Sequence, residues 1–214
     1  MDKDYWNDFY KLHGLNSEIT NHSSFVKFCE EHFFREKNMN IVELGSGNGR
    51  DAIYLAHHNH NVIAIDQSVS AIDIEKRSID KNYVNYFHPR SLDFVHEDYS
   101  SYKKIDAFYS RFTMHSISQR DEDILFPKVY NALEINGLFC IEARTTRDPL
   151  YGKGEFVSEN TFIADGHKRR FIDTYKFREQ VSILGFSELY FLEKDNLSIY
   201  KDDNPVLMRI ILKK

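Results

Sequence analysis

The chain has 214 residues, 42% hydrophobic and 29% charged, with a formal net charge of −5. That length suits one domain with a genuine core and would cramp two. The composition is ordinary for a soluble globular protein, and the charge gives no surface-wide attraction to nucleic acid or an anionic membrane. Cys29 and Cys140 fall in a predicted helix and a predicted strand. No histidines accompany them at metal-ligand spacing, so they read as reduced, buried thiols and no metal site is expected. The opening Met1-Asp2-Lys3-Asp4-Tyr5-Trp6 is acidic where a secretory leader is basic. No stretch approaches the ~20 apolar residues of a membrane span, so a cytoplasmic location is expected.

In chain order, residues 4–13 place Tyr5, Trp6, Phe9 and Tyr10 on one face of a short helix ended by Gly14. That stripe packs either on the core or as a lid over a pocket. Ser23 or Ser24 caps a helix through about Glu36, which completes an N-terminal helical cap over residues 1–37. A first strand spans Ile41–Leu44, a helix follows three glycines to about His58, and a second strand, Val62–Ile65, ends at Asp66. Residues 70–82 read as a helix, Leu92–Val95 as a weak third strand and Ile105–Tyr109 as a fourth. A helix over 121–133, with Pro127 near its first turn, leads through Gly137 to a fifth strand, Leu138–Ala143. Residues 145–172 form an inserted loop with the basic run His167-Lys168-Arg169-Arg170. A helix over 175–184 and two strands, 189–193 and 206–212, finish the chain. The alternation implies α/β architecture: a doubly wound, mostly parallel seven-stranded sheet with helices on both faces and an antiparallel C-terminal hairpin.

In such a sheet neighbouring strand ends open into one crevice, where ligands bind. Ile41-Val42-Glu43-Leu44-Gly45-Ser46-Gly47-Asn48-Gly49 runs a strand into a turn that only a backbone lacking Cβ makes easily. Asp66 ends the second strand, placed to bind both hydroxyls of a ribose, and Asp98 follows the third. The spacing G-x-G-x-G, with Arg50 where the last glycine of the dinucleotide fingerprint would fall, departs from the NAD pattern. Glu43 beside the loop favours a cationic amino-acid end over a pyrophosphate. Together these features point to S-adenosylmethionine, with an NAD-dependent oxidoreductase as the competitor.

On these residues the chain resembles the class I S-adenosylmethionine-dependent methyltransferases of small-molecule type. Glu43 to Gly49 matches the first motif, Asp66 the ribose-binding acid, and Asp98-Tyr99 the adenine-contacting acid with a large neighbour. The resemblance covers roughly residues 41–144. It implies that Glu43, Gly45, Ser46, Gly47 and Gly49 hold the methionine part, Asp66 the ribose with Gln67 and Ser68 nearby, and Asp98 and Tyr99 the adenine. Arg111 would face the methyl donor.

Direct displacement at a sulfonium requires orientation and, for a hydroxyl or ammonium acceptor, a base. His115, just after the fourth strand, is the first candidate base and His167 the second, with Arg111 beside them. Tyr5, Trp6 and Tyr10 with Arg144, Arg147, Arg169 and Arg170 are the candidate acceptor-binding residues, because converging guanidinium groups suit phosphate or carboxylate. The expected acceptor is a small anionic molecule such as a surface-polysaccharide precursor. A tellurite- or thiopurine-type detoxifying enzyme and a non-catalytic S-adenosylmethionine-binding protein are the alternatives. The segment Ser110-Arg111-Phe112-Thr113 lacks the Pro-Pro-aromatic signature of nucleic-acid amino-methylating enzymes. Oligomeric state stays open.

Overall fold

The computed structural model describes residues 3–15, 20–34, 38–164 and 166–214. Five strands run parallel: β1 (Asn40–Leu44), β2 (Asn61–Asp66), β3 (Phe87–Ser91), β4 (Ile105–Arg111) and β5 (Leu133–Arg144). β6 (Glu155–Ser158), β7 (Thr161–Ala164) and β8 (His167–Arg170) make a separate antiparallel sheet. β9 (Ser187–Lys194) and β10 (Leu207–Lys213) close the main sheet as an antiparallel hairpin, giving the order β3-β2-β1-β4-β5-β10-β9. The order reverses between β1 and β4, which opens a crevice at their carboxyl ends.

Both faces of the sheet are buried, as the near-continuous apolar strands require. In β5, Phe139, Ile141 and Ala143 join one core, and Leu138 and Cys140 join the other. The first core is covered by α5 (Gln119–Ala132) and α6 (Thr174–Ile183) through Phe126, Val129, Phe177 and Val181. The second is covered by α2 (Ser24–His32) and α3 (Arg50–His57) through Phe25, Cys29, Leu55 and Ala56. α1 (Lys3–His13) buries no residue in either core and lies along α4 (Val69–Ser78) instead.

Several elements differ from the sequence expectation, each for a local reason. The third strand is Phe87–Ser91 rather than Leu92–Val95. Pro89 disguises it, and is tolerated because β3 is an edge strand. The expected helix over 70–82 ends at Ser78, and a 3₁₀ segment, Lys81–Tyr86, follows. α5 starts two residues early because Ser118 and Asp121 form a reciprocal capping box. That leaves Pro127 in the middle of the helix rather than near its first turn. The carbonyl it deprives belongs to Asp123, an exposed residue where water can serve as donor.

β5 begins at Leu133. The turn expected at Gly137 is a bulge inside the strand, since Ile105 pairs with Leu133 and Ala107 with Leu138 while Asn136 takes φ 68°. The inserted segment is an ordered three-stranded sheet rather than a loop. Glu36, the expected end of the second helix, lies outside the described residues.

Candidate functional site

A cavity of about 310 Å³ occupies the crevice. On one side the glycine loop folds over the end of β2, with Gly45 N–H and Ser46 N–H donating to the Ile65 carbonyl at 2.8 and 3.0 Å. Gly45 and Gly47 have φ of 72° and 60°, the left-handed region that other residues enter at a cost. A Cβ on Gly45 would stand 2.6 Å from the Thr113 hydroxyl, and one on Gly47 would collide with the Tyr10 hydroxyl.

Three acids line this side: Glu43, Asp51 and Asp66. Glu43 is buried, and its Oε2 has no hydrogen-bond partner. Burial, reinforced by the charges of Asp51 and Glu75, pushes its pKa well above the carboxylate range. Asp66 receives Gly47 N–H at 2.9 Å and Ser68 N–H at 2.8 Å. Burial raises its pKa, and these two donors act in the opposite direction. Asp51 is held by Ser23 N–H and by the hydroxyls of Ser23 and Tyr109, at 2.7, 2.7 and 2.8 Å. Behind the loop the Ser46 hydroxyl donates to Glu75 Oε1 at 2.5 Å, while burial pushes the Glu75 pKa up to about 8.

The opposite side is built from distant segments. α1 contributes Tyr5, Trp6, Phe9 and Tyr10; the end of β4 contributes Arg111, Phe112, Thr113, His115 and Ser116; β5 gives Arg144, and β8 gives His167 and Arg169. α1 is tied down where Ser68 Oγ donates to Asn7 Oδ1 at 2.9 Å and Asn48 Nδ2 to the Gly14 carbonyl at 3.2 Å. His167 stacks on Tyr5 with centroids 4.8 Å apart and meets Trp6 and His115 edge-on at 5.2 and 5.9 Å. His115 is buried, and its Nδ1 has no partner. Burial, and then the charges of His167, Arg144, Arg169 and Arg170, push its pKa well below the ordinary histidine value. Its imidazole is therefore neutral at neutral pH. Phe112 takes φ 54° and holds its ring 4.2 Å from the Arg111 guanidinium.

A model described as a methyltransferase domain matches residues 35–195. The chain belongs to that family. A methyltransferase from Methanosarcina mazei, described as S-adenosylmethionine-dependent, shares 15% identity at a TM-score of 0.71, over 86% of this chain and 96% of that one. One from Anabaena variabilis with the same description shares 18% at 0.71, over 99% and 94%. The 1,6-didemethyltoxoflavin-N1-methyltransferase of Burkholderia thailandensis, solved with its substrate and S-adenosylhomocysteine, shares 13% at 0.70, over 99% and 84%. At these identities the likeness is one of fold. No curated protein matches the chain in sequence.

The Burkholderia enzyme is solved with S-adenosylhomocysteine and the glycopeptide N-methyltransferase MtfA with S-adenosylmethionine, and the residues present here fit that cofactor. The unpartnered Glu43 oxygen suits an ammonium, and the glycine cradle leaves room for a ligand against the backbone. Of the residues singled out from sequence, Glu43, Gly45, Ser46, Asp66, Arg111, His115, Tyr5, Trp6, Tyr10, Arg144, His167 and Arg169 line the cavity. Gly47 and Gly49 shape the loop behind that lining, Gly49 as the N-cap of α3.

Others stand elsewhere in the methyltransferase. Asp98 and Tyr99, expected beside the adenine, lie outside the cavity lining, and β3 ends earlier than expected, at Ser91. Asp98 is an exposed cap of a short 3₁₀ turn, and Tyr99 is buried with its hydroxyl donating to the Phe94 carbonyl at 2.6 Å. The acid that follows β3 directly is Asp93, which receives Val95 N–H at 3.0 Å. Ser68 caps α4, and Gln67 sits outside the lining. Arg147 is exposed and lies 3.5 Å from Glu193. Arg170 turns to the other face of β8, where it pairs with Glu122 and donates to the Ile117 carbonyl at 3.0 Å. Arg144 is paired with Asp148 and Asp203. Sequence reasoning missed Arg50 and Asp51, although their place right after the glycines marked them. It also missed Phe112, Thr113 and Ser116, which carried no such signal.

Among the described residues no helix is long and apolar enough to cross a membrane, and no cluster of His, Cys, Asp or Glu is arranged to hold a metal ion.

Proposed function

We propose that the protein transfers a methyl group from S-adenosylmethionine to a small acceptor carrying an anionic group, bound between α1, the end of β4 and β8. The observation that carries this reading is that two residues lining the crevice, Glu43 and His115, each hold a buried atom without a hydrogen-bond partner, Oε2 and Nδ1.

Glu43 and the glycine loop would hold the methionine end, with Asp66 on the ribose and the β3 end, near Gln67 and Asp93, beside the adenine. Bound there, the cofactor would supply an electrophilic methyl on a positively charged sulfur, which would keep the carbon–sulfur electron pair when the methyl passes to the acceptor's lone pair. His115, neutral and facing the acceptor half, takes the acceptor proton on Nδ1. A general base of this kind contributes about 10²–10⁴-fold. His167 packs against His115 and Tyr5 and serves better as a wall than as a second base. Arg169 supports the anionic end from β8. Arg111 and Arg144 border the same space with carboxylate partners of their own. The buried free thiols of Cys29 and Cys140 support a cytoplasmic site of action.

The test is calorimetric titration with S-adenosylhomocysteine, followed by mass-spectrometric detection of methyl transfer across a panel of small acids. Binding with turnover on at least one acceptor is expected. Tight binding without turnover on any would favour a non-catalytic binding protein, and absence of binding would sink the reading.

A further inference from the structure

The acceptor half of the cavity is walled by rings, and the polar groups of Arg111, Thr113 and Arg144 among them are already engaged within the protein. Phe112 meets His115 at 5.9 Å between centroids, His115 meets His167 at 5.9 Å, His167 meets Trp6 at 5.2 Å, and Trp6 meets Phe9 at 5.6 Å. The Thr113 hydroxyl, between these rings and the glycine loop, is already donated to the Leu44 carbonyl at 2.8 Å. A polyhydroxylated acceptor would need a partner for each hydroxyl withdrawn from water, because an unsatisfied buried polar group is costly. A flat ring needs only the faces and edges of other rings.

Charge narrows the acceptor further. Arg144 stands between Asp148 and Asp203, and Arg111 shares Glu142 with Arg209. With these two guanidinium groups neutralised and Glu43, Asp51 and Asp66 across the cavity, one negative charge is better accommodated than the two or three of a phosphorylated nucleotide.

We propose that the acceptor is a planar aromatic or heteroaromatic acid with a single anionic substituent. Its ring lies against Trp6, Phe9 and Phe112, its edge O–H or N–H meets His115 Nδ1, and its anion faces Arg169. The proton leaves the ring edge for His115, and the lone pair so freed forms the bond to the methyl carbon. This rests on the methyl-transfer reading above, and it replaces a sugar-phosphate acceptor with a ring acid.

Trp6 is the only tryptophan in the chain, so its fluorescence reports occupancy of this wall directly. S-adenosylhomocysteine is titrated first by calorimetry. With it bound, the protein is titrated with 4-hydroxybenzoate and 1H-pyrazole-4-carboxylate, then with trans-4-hydroxycyclohexanecarboxylate and glucose 6-phosphate. At least one flat acid is expected to bind about tenfold or more tighter than either non-aromatic probe and to change Trp6 emission. Arg169→Gln should weaken that acid about tenfold while leaving the affinity for S-adenosylhomocysteine unchanged.

If the saturated acid or the sugar phosphate binds as tightly, or if neither flat acid binds, the aromatic assignment is overturned and the cofactor reading stands. If S-adenosylhomocysteine itself does not bind, the methyl-transfer reading fails with it.

Discussion

The two halves of the cavity are made differently. The cofactor half is largely backbone and short acids at strand ends, fixed by the sheet and by a glycine loop that leaves no room for side chains. The acceptor half is side chains from α1, β5, β8 and the segment after β4, segments that meet only once the small sheet β6-β7-β8 and α1 have docked. A strand end aims a carboxylate with little freedom, so the first half is expected to be rigid and specific for one ligand. The second half can change its ligand by changing a few rings.

The largest expected effect separates the halves. His115→Gln should lower kcat by about 10²–10⁴-fold and leave the affinity for S-adenosylhomocysteine unchanged. Because the folded His115 pKa lies well below the ordinary value, its base form persists through pH 6–7. The activity of the native enzyme should then be flat across the range where an exposed histidine titrates, near ~6.5, and fall only at lower pH. A kcat inflection at or above that value that disappears in His115→Gln would break the assignment.

Next in size, Glu43→Gln should weaken S-adenosylhomocysteine by about 1.5–3 kcal/mol, the range for a hydrogen bond to a charged group. In the free protein burial favours protonated Glu43, whereas a ligand ammonium favours the carboxylate. Binding should therefore release a proton, and affinity should rise with pH by up to about tenfold per unit until the raised pKa is passed. Calorimetry in buffers of different ionisation enthalpy measures this. A native protein that releases no proton, or a variant with unchanged affinity, would contradict the role given to Glu43.

The same contrast explains how much was legible beforehand. Glu43, the glycines and Asp66 sit at or next to strand ends, so apolar runs and spacing alone brought them together. The acceptor half depends on registers that no local pattern fixes. The basic run at 167–170 reads as one patch in sequence. In β8 the pairings Phe162 with Arg169 and Thr161 with Arg170 give neighbouring residues opposite faces, so Arg169 lines the cavity while Arg170 buttresses α5 through Glu122. A slip of one residue would exchange them. Arg144 was legible as a cation at a strand end, but its two carboxylate partners were not. Asp203 lies 59 residues further along the chain.

A third effect lies behind the cofactor half. Glu75 touches the loop through Ser46, and its other oxygen has no partner, as suits a protonated acid. Its folded pKa of about 8 is above the ordinary value of 4.5, so the native state binds more protons than the unfolded state between those limits. The stability it contributes is full below pH 4.5 and is lost as pH rises through 8. The slope inside that window is at most about 1.4 kcal/mol per pH unit. Thermal melts of the native protein and Glu75→Gln across pH 5–8 should show a steeper decline in the native protein. Parallel curves would remove Glu75 as the source.

The smallest effect decides the adenine side, where sequence and structure part. Asp93 follows β3 directly, takes the Val95 N–H and lies beside Gln67, whereas Asp98 is exposed five residues further on. Asp93→Asn should weaken S-adenosylhomocysteine by about 0.5–1.5 kcal/mol, the net worth of one hydrogen bond. Asp98→Ala removes a turn cap formed with Ser100 N–H at 3.0 Å. It should leave the affinity unchanged and touch only stability, by about 0.5–2 kcal/mol if the 3₁₀ cap behaves as a helix cap does. The two variants form an internal control, since both remove a surface carboxylate within one short stretch. The reverse result, a loss with Asp98 and none with Asp93, would mean that the turn after β3 rearranges around the cofactor and that the contrast between a rigid half and an adaptable half is wrong at this corner.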